Sequence, residues 1–468
     1  MGSIVRKYNC HYYEFENMGK FVRATDRIGT DDIRVLLLSF SIPAIIGMLV
    51  MALYNITDRI FVGHGVGPEG IAAIAVTMPV VMTFMAASML IGIGANALFS
   101  IKLGEGNNEI IDKIMGHAFL LLFLVPLIAI VPCVIFLKPL LVFIGAGEGI
   151  MSYAESYLRI ILYGSVFAAM GPGINHFIRS DGHPKTSMFT QLLGAGINII
   201  LDAIFILGFG WGMEGAAWAT VISQFVSFLW VMYYFNSKHT PLRFRFRAMK
   251  LELKLTMSII AIGFAPFALN MAMNVMNLVL NKTLMQYGGD TAVAVMGIIY
   301  SALILMIQPL HGLNAGMQPI VGYNYGAKHM GRVLETYYLT VKCATVFVLV
   351  CFVIIQLFPR QIILAFSRDN AELMEIGIKA IRTTTLFIPI IGFQIITSNF
   401  FQAVGKPLQS TILSLSRQCL MLIPLVMILP RFFGLMGAYM AFPVADILSV
   451  TLTFFMIRAE IKHLKRIA

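Results

Sequence analysis

Charge is scarce in this sequence. Only 12% of its 468 residues are Asp, Glu, Lys or Arg, about half the ~25% of an ordinary soluble domain. A chain so poor in charge cannot present most of its surface to water, and 58% of its residues are hydrophobic. Cysteine offers no framework either. The five present, Cys10, Cys133, Cys343, Cys351 and Cys419, are scattered and odd in number, with no CxxC or Cys/His spacing. That argues against a disulfide scaffold or a zinc site and leaves them as small apolar packing residues. No GxSxG, HExxH or Walker A motif occurs, so we expect no enzymatic activity, and no ATP-driven transport by this chain alone. The first 30 residues lack the apolar core of a signal peptide. They mix Tyr, Arg and Glu, which suggests a cytoplasmic tail lying partly on the membrane surface.

Long apolar runs are what the sequence does have. They fall near 35–57, 71–98, 114–137, 153–177, 187–209, 214–235, 257–284, 291–316, 334–358, 376–401, 408–430 and 435–457. Each suits a membrane helix, which needs roughly 20 apolar residues, whereas membrane β-strands are short and alternating. The expectation is an all-α membrane protein of about twelve transmembrane helices.

The net charge of +11 sits in the short connections, as the positive-inside rule requires, and does not point to nucleic acid. One side collects Arg6, Lys7, Lys20, Arg23, Arg27, Arg34, Lys102, Lys113, Arg179, Lys185, the loop Lys238 to Lys254, Lys328, Arg332, Lys406 and the tail Arg458 to Arg466. The other side holds only Arg59, Lys138, Lys282, Arg360, Arg368 and Arg431. Both termini are therefore expected in the cytoplasm, with the chain in the inner (plasma) membrane. The most basic stretch, Asn236 to Lys254, is the natural linker between halves, and its alternating Arg243, Phe244, Arg245, Phe246 and Arg247 suit docking on anionic headgroups.

The two halves repeat. Gly104 and Gly326, Gly94 and Gly316, and Gly215 and Gly437 are each 222 residues apart, while Gly182 and Gly405, Pro184 and Pro407, and Pro43 and Pro266 are 223 apart. One offset across the whole chain marks a tandem duplication of a six-helix unit. Because six is even, both copies enter the membrane in the same direction, giving parallel repeats about an axis along the membrane normal. The boundaries are expected at 1–30 for the N-terminal tail, 31–235 for the N-lobe, 236–256 for the linker, 257–458 for the C-lobe and 459–468 for the C-terminal tail. Transporters that rock two bundles around a midplane site use this architecture; receptors and single-site enzymes have no need of it.

Ionisable groups inside the hydrocarbon cost on the order of 2.5–3.5 kcal/mol each on insertion scales, so those present need a reason. Asp58 closes the first helix. Asn198 and Asp202, four apart, share one face of the fifth, and Thr220 adds a hydroxyl from the sixth. Oxygens of this kind suit a hard cation or a proton, and Asp58 supplies a second carboxylate if the first helix packs on the fifth. The alternative is an interfacial Asp58 and a packing Asp202.

Arg417 and Asp446 each lie about ten residues into one arm of a helix hairpin, at matching depth, and are expected to form a structural ion pair. His117, His176 and His311 also lie near or inside helices. Asn270, Asn274, Asn277 and Asn281 form a polar stripe on the seventh helix, expected to line a cavity. Met78, Met82, Met85 and Met89 stripe the second, as a soft pocket wall or as packing. Pro43, Pro79, Pro126, Pro172, Pro266, Pro309, Pro389, Pro424 and Pro443 fall within helices and permit bends.

Taken in order, Pro43, Tyr54-Asn55-x-x-Asp58, Asn198-x-x-x-Asp202 and the Gly-x-Pro loops at 182–184 and 405–407 resemble the multidrug and toxic compound extrusion (MATE) family, over roughly residues 31–460. The resemblance implies a V-shaped pair of lobes and a secondary antiporter that exports cationic or amphipathic compounds against Na⁺ or H⁺. It implies a coupling site at Asp58, Asn198, Asp202 and Thr220, which would also be the Na⁺ ligands, with Tyr54 as neighbour and Pro43 as the bending point. The seventh helix carries Asn274 where some members have an acid, and the tenth has none, which favours the N-lobe as the coupling site. Substrate contacts are expected at Asn270, Asn274, Asn277 and Met82. The expected partners are a small-molecule substrate and membrane lipids, with no nucleic acid, no cofactor beyond the coupling ion, and a monomeric chain. The alternative in the same superfamily is a flippase for a lipid-linked saccharide, which would call for more helices or a strongly cationic central cavity.

Overall fold

The computed structural model describes residues 27–237, 240, 242, 251–365 and 371–467; Cys10, most of the N-terminal tail and the Arg243–Arg247 alternation lie outside them. The N-terminal half contains α1 (Ile33–Gly65), α2 (Pro68–Gly104), α3 (Asn108–Ile135), α4 (Glu148–Ser180), α5 (Pro184–Asp202, running on through a π-turn Ala203–Gly208) and α6 (Gly212–Asn236). The helices start where local chemistry tells them to. Asp32 accepts from the amides of Arg34 and Val35 to cap α1, Asn107 caps α3, and prolines occupy the first turns of α2 and α5.

In the C-terminal half a helix runs from Leu253 to Gly326. At ~1.5 Å per residue its 74 residues would be about 110 Å long, more than three times the ~30 Å hydrocarbon core. It is broken at Gly289, whose φ of 60° and ψ of −160° no helix contains, into α7 (253–288) and α8 (290–326). Then follow α9 (Met330–Leu357), α10 (Ala371–Thr384 and Ile388–Ala403, bent by 50°), α11 (Pro407–Leu415, a π-turn Ser416–Leu422, and Ile423–Ile428) and α12 (Pro430–Ile467). Ten helices are long and apolar enough to cross alone, and the bent α10 makes an eleventh span. With the 74-residue helix counted as two, the described residues contain twelve.

The duplication reappears in the bonding. In the N-lobe, Asn175 Nδ2 donates to the Ser187 carbonyl at 3.2 Å. In the C-lobe, Ser398 Oγ donates to the Ser410 carbonyl, also at 3.2 Å, and both residues lie 223 positions later. Between the lobes, Asn96 Nδ2 donates to Gln318 Oε1 at 3.4 Å, across a separation of 222. A residue can touch its own repeat copy only on the axis relating them. The seam around that axis depends on absent side chains: a Cβ on Gly104 would strike the Tyr323 carbonyl, and one on Gly326 the Ile101 carbonyl.

Polar contacts between the lobes gather toward one end. They lie along α2 and α8, with α7 close against α2 and α1 against α8, and the furthest polar one is Asn270 Nδ2 to Met89 sulfur at 3.7 Å. Past it, no hydrogen bond or ion pair among the described residues connects the lobes.

Each lobe has two apolar cores, and α1 and α7 cross between lobes. Ile33, Leu36, Leu37 and Phe40 belong to a core built mainly from α8, α9, α10, α11 and α12, whereas Val62 at the far end of α1 packs with α2, α4 and α6. In mirror fashion Ile259 of α7 packs in the N-lobe, while Met276, Leu280 and Leu284 pack in the C-lobe. Pro43 and Pro266 lie at the two crossings. A proline removes one helical hydrogen bond and permits a bend, so each crossing helix is weakest where it changes lobes.

Candidate functional site

The chain enters the site through close helix packing. Gly65 on α1 abuts Ile206 in the π-turn of α5, so closely that a Cβ would collide with it. That contact holds the outer half of α1 against α5, two turns above Asp58. Asp202 is the last residue before the same π-turn, a backbone irregularity that recurs at functional sites.

The structure brings Asp58, Tyr54, Asn198, Asp202 and Thr220 together. Asp202 is 0% exposed and Asn198 1%. The carboxyl groups of Asp58 and Asp202 lie within hydrogen-bonding reach of one another, and Tyr54 is within electrostatic reach of both. Asn198 Nδ2 donates to Thr220 Oγ1 at 3.4 Å, which turns the amide oxygen elsewhere.

What remains is a set of acceptors without donors. Asp58 Oδ1, Asn198 Oδ1 and both oxygens of Asp202 are buried and make no hydrogen bond. Buried polar atoms are almost always paired, and two facing carboxylates repel unless a proton or cation lies between them. Among the described residues no three His, Cys, Asp or Glu side chains gather. The donor set is therefore two carboxylates, an amide and a hydroxyl, which is hard-cation chemistry.

Sequence reasoning missed Tyr157. It is 8% exposed on α4 and stands within reach of Asp58, Tyr54 and Asp202. No motif or spacing marks it, because its place depends on how α4 packs against α2 and α6.

The asparagine stripe divides. Asn270 bonds the Pro266 carbonyl at 2.8 Å and the Met89 sulfur, so it belongs to the seam. Asn274, Asn277 and Asn281 continue the same face of α7 beyond the seam and make no hydrogen bond among the described residues. The methionine stripe divides likewise: Met78 packs against an N-lobe core, Met89 meets Asn270, and Met85 is exposed, with half-buried Met82 beside it. Arg417 Nε donates to Asp446 Oδ1 at 2.7 Å, and Asp446 is fully buried. These two are not near the Asp58 cluster; they lie in the other lobe.

On the face where the seam closes, the linker is fastened to the N-lobe at both ends. Leu242 is buried in an N-lobe core. Glu252 gives its amide to His117 Nε2 at 2.7 Å and its carboxylate to Lys113 at 3.0 Å. Beside Thr240, Tyr234 Oη donates to Asp181 Oδ2 at 2.6 Å and contacts His183 Nδ1 at 2.8 Å. His183 is held above its ordinary value chiefly by its bonding to Asp181, with partial burial opposing. His117 and His183 are therefore structural fastenings, remote from the carboxylate pair.

Comparison with known proteins follows the same outline. The MatE family model matches residues 43–204 and again 266–428. The multidrug export protein MepA of Staphylococcus haemolyticus (strain JCSC1435) is 28% identical over 425 residues, covering 90% of this chain and 92% of the relative. MepA of Staphylococcus aureus (strain MRSA252) is 27% identical over 414 residues, covering 88% and 90%. Among solved structures, the outward-facing conformation of a multidrug resistance MATE family transporter of the MOP superfamily superposes with a TM-score of 0.88 at 27% identity, over 94% of this chain and 98% of that one.

Proposed function

Because this chain belongs to the MatE family, we propose that it is a secondary antiporter, exporting cationic or amphipathic small organic compounds in exchange for Na⁺ or H⁺ by alternating access. The observation that carries this reading is the group of four unpartnered oxygens on Asp58, Asn198 and Asp202, in a protein whose lobes are bonded to one another toward one end. A buried donor-free carboxylate pair is tolerable in a membrane when an ion that comes and goes neutralises it.

The mechanism follows from which helix holds the site. The outer half of α1 carries Asp58, while its inner half is packed in the opposite lobe. An ion bound between Asp58 and Asp202 relieves their repulsion and draws the outer half of α1 toward α5. Pro43 lets α1 bend, so the movement reaches the seam. A ligand shifts such an equilibrium only by its difference in affinity between the two states; the coupling ion supplies it by favouring the conformation in which the carboxylates are closest. Asn274 and Asn277 of α7 and Met82 of α2 wall the open end where cargo is held. The protein works as a monomer among membrane lipids, with both termini cytoplasmic in the plasma membrane, so that the seam lies on the cytoplasmic side and the open end faces out.

The names of the MepA relatives, multidrug export proteins, support the direction and breadth of transport. A lipid-linked saccharide flippase would need a strongly cationic centre; here the walls carry Asn274 and Asn277, and Arg417 is neutralised by Asp446. Uptake of a fluorescent cation into everted vesicles, with Na⁺ and proton gradients imposed separately, tests the reading. One gradient is expected to drive accumulation and its collapse to stop it. Accumulation indifferent to both gradients contradicts antiport.

A further inference from the structure

Arg417 does more than neutralise Asp446. It lies ten residues into α11, about 15 Å along the helix and so near the middle of the membrane. Its side chain turns toward Asp446 on α12 and reaches Tyr300 on α8 electrostatically.

Only Nε of the guanidinium is used, on Asp446 Oδ1. The two terminal amino groups make no hydrogen bond among the described residues, yet they are absent from the buried unpartnered atoms, and the side chain is 23% exposed. They therefore keep surface that a ligand can reach. Polar atoms on the same two helices are also unspent: Asp446 Oδ2, Gln418 Oε1 and Tyr439 Oη are buried without partners, on residues exposed by 0%, 6% and 2%. A purely structural ion pair would be expected to bond its neighbours and close itself off. The backbone at Arg417 is a π-turn, as it is immediately after Asp202.

We propose that Arg417, held in place by Asp446, is an anion-binding subsite in the C-lobe that receives a carboxylate or similar acidic group of the cargo. Two parallel N–H donors match a carboxylate in geometry as well as charge. Asp446 behind the guanidinium keeps the subsite electrically neutral when empty, which limits its affinity and allows release. With this guanidinium in the C-lobe, the preferred cargo is an amphipathic molecule that carries an acidic group. The proposal rests on the exporter reading only in calling the occupant cargo.

Its test uses two dyes that differ in one group, rhodamine 110 with a free carboxylate and rhodamine 123, its methyl ester. Both are titrated onto purified full-length protein in detergent by fluorescence anisotropy, with no ion gradient present. The selectivity ratio, Kd of the ester over Kd of the acid, is expected to fall at least tenfold from wild type to the Arg417→Gln/Asp446→Asn double variant. That variant strands no charge, and ester binding should stay within twofold. Arg417→Lys, retaining charge without the fork, should fall between. A smaller change in the ratio, equal loss of both dyes, or no measurable binding of the acid to wild type overturns the subsite. Wild-type accumulation indifferent to both gradients, alongside the expected fall in the ratio, would instead refute antiport and leave the subsite standing.

Discussion

The N-lobe leaves its intramembrane acids bare, with Asp58 and Asp202 facing each other and no donor on three of their oxygens, whereas the C-lobe closes Asp446 onto Arg417 at 2.7 Å. Both lobes descend from one six-helix unit, so the difference was made residue by residue. At the offsets of the flanking markers, 223 for the first and fifth helices and 222 for the sixth, Asp58, Asn198, Asp202 and Thr220 become Asn281, Met421, Leu425 and Phe442; in the reverse direction Arg417 and Asp446 become Gly194 and Gln224. The scaffold was kept, with its seam glycines and crossing helices, while its chemistry was erased in one copy and rewritten in the other. A transporter that rocks about an axis needs symmetric joints, but its coupling ion needs only one site.

The contrast predicts opposite responses to the same substitution. Asp446→Asn strands Arg417 and should destabilise the purified protein by about 3–5 kcal/mol, as breaking a buried pair usually does, toward the lower end because Arg417 keeps some access to water. Asp202→Asn removes a charge that has no partner and should leave the thermal midpoint unchanged or higher. Equal destabilisation by both would mean that the N-lobe acids are paired after all.

Exchanging seam residues should break the lobes alike. Gly104→Ala and Gly326→Ala each drive a methyl into a backbone carbonyl of the other lobe, at a cost of about 1–3 kcal/mol. Matching losses in thermal midpoint are expected, and a large inequality would show that the seam is not symmetric.

The smallest effect concerns the seam-side loops, where His183 with Asp181 and Tyr234 in the N-lobe corresponds to Lys406 with Glu460 at 2.6 Å in the C-lobe. Asp181 raises the affinity of His183 for its proton. Its stabilising contribution is therefore complete below about pH 6.5, the unfolded value, and is lost as pH rises through the higher folded value. With the side chain 34% exposed, solvent screening keeps this well under 1 kcal/mol. The thermal midpoint should sag slightly from pH 6 to 8 in wild type and less in His183→Gln; an identical slope would remove His183 from the account.

Much of this was legible in sequence because it is local or periodic. Apolar runs gave the spans, a constant offset gave the duplication, and Asn198 and Asp202 stood out as polar residues four apart in oil. Arg417 and Asp446 stood out by depth in a hairpin. What escaped depends on packing between distant elements. That α1 begins in the core of the other lobe cannot be seen from residues 31–235 taken as one unit. Asn270 looks like its three stripe-mates until α2 is placed beside it. Tyr157 carries no mark at all, and the π-turns beside Asp202 and Arg417 have no signature in residue type.

Driven against downhill flux in proteoliposomes, compared between wild type and Asp202→Asn, tests the central claim most directly. If the bare acids of the N-lobe hold the exchanging ion, the variant should lose gradient-driven dye accumulation at least tenfold while dye still equilibrates down its own gradient through an intact protein. Undiminished accumulation by Asp202→Asn would contradict the account.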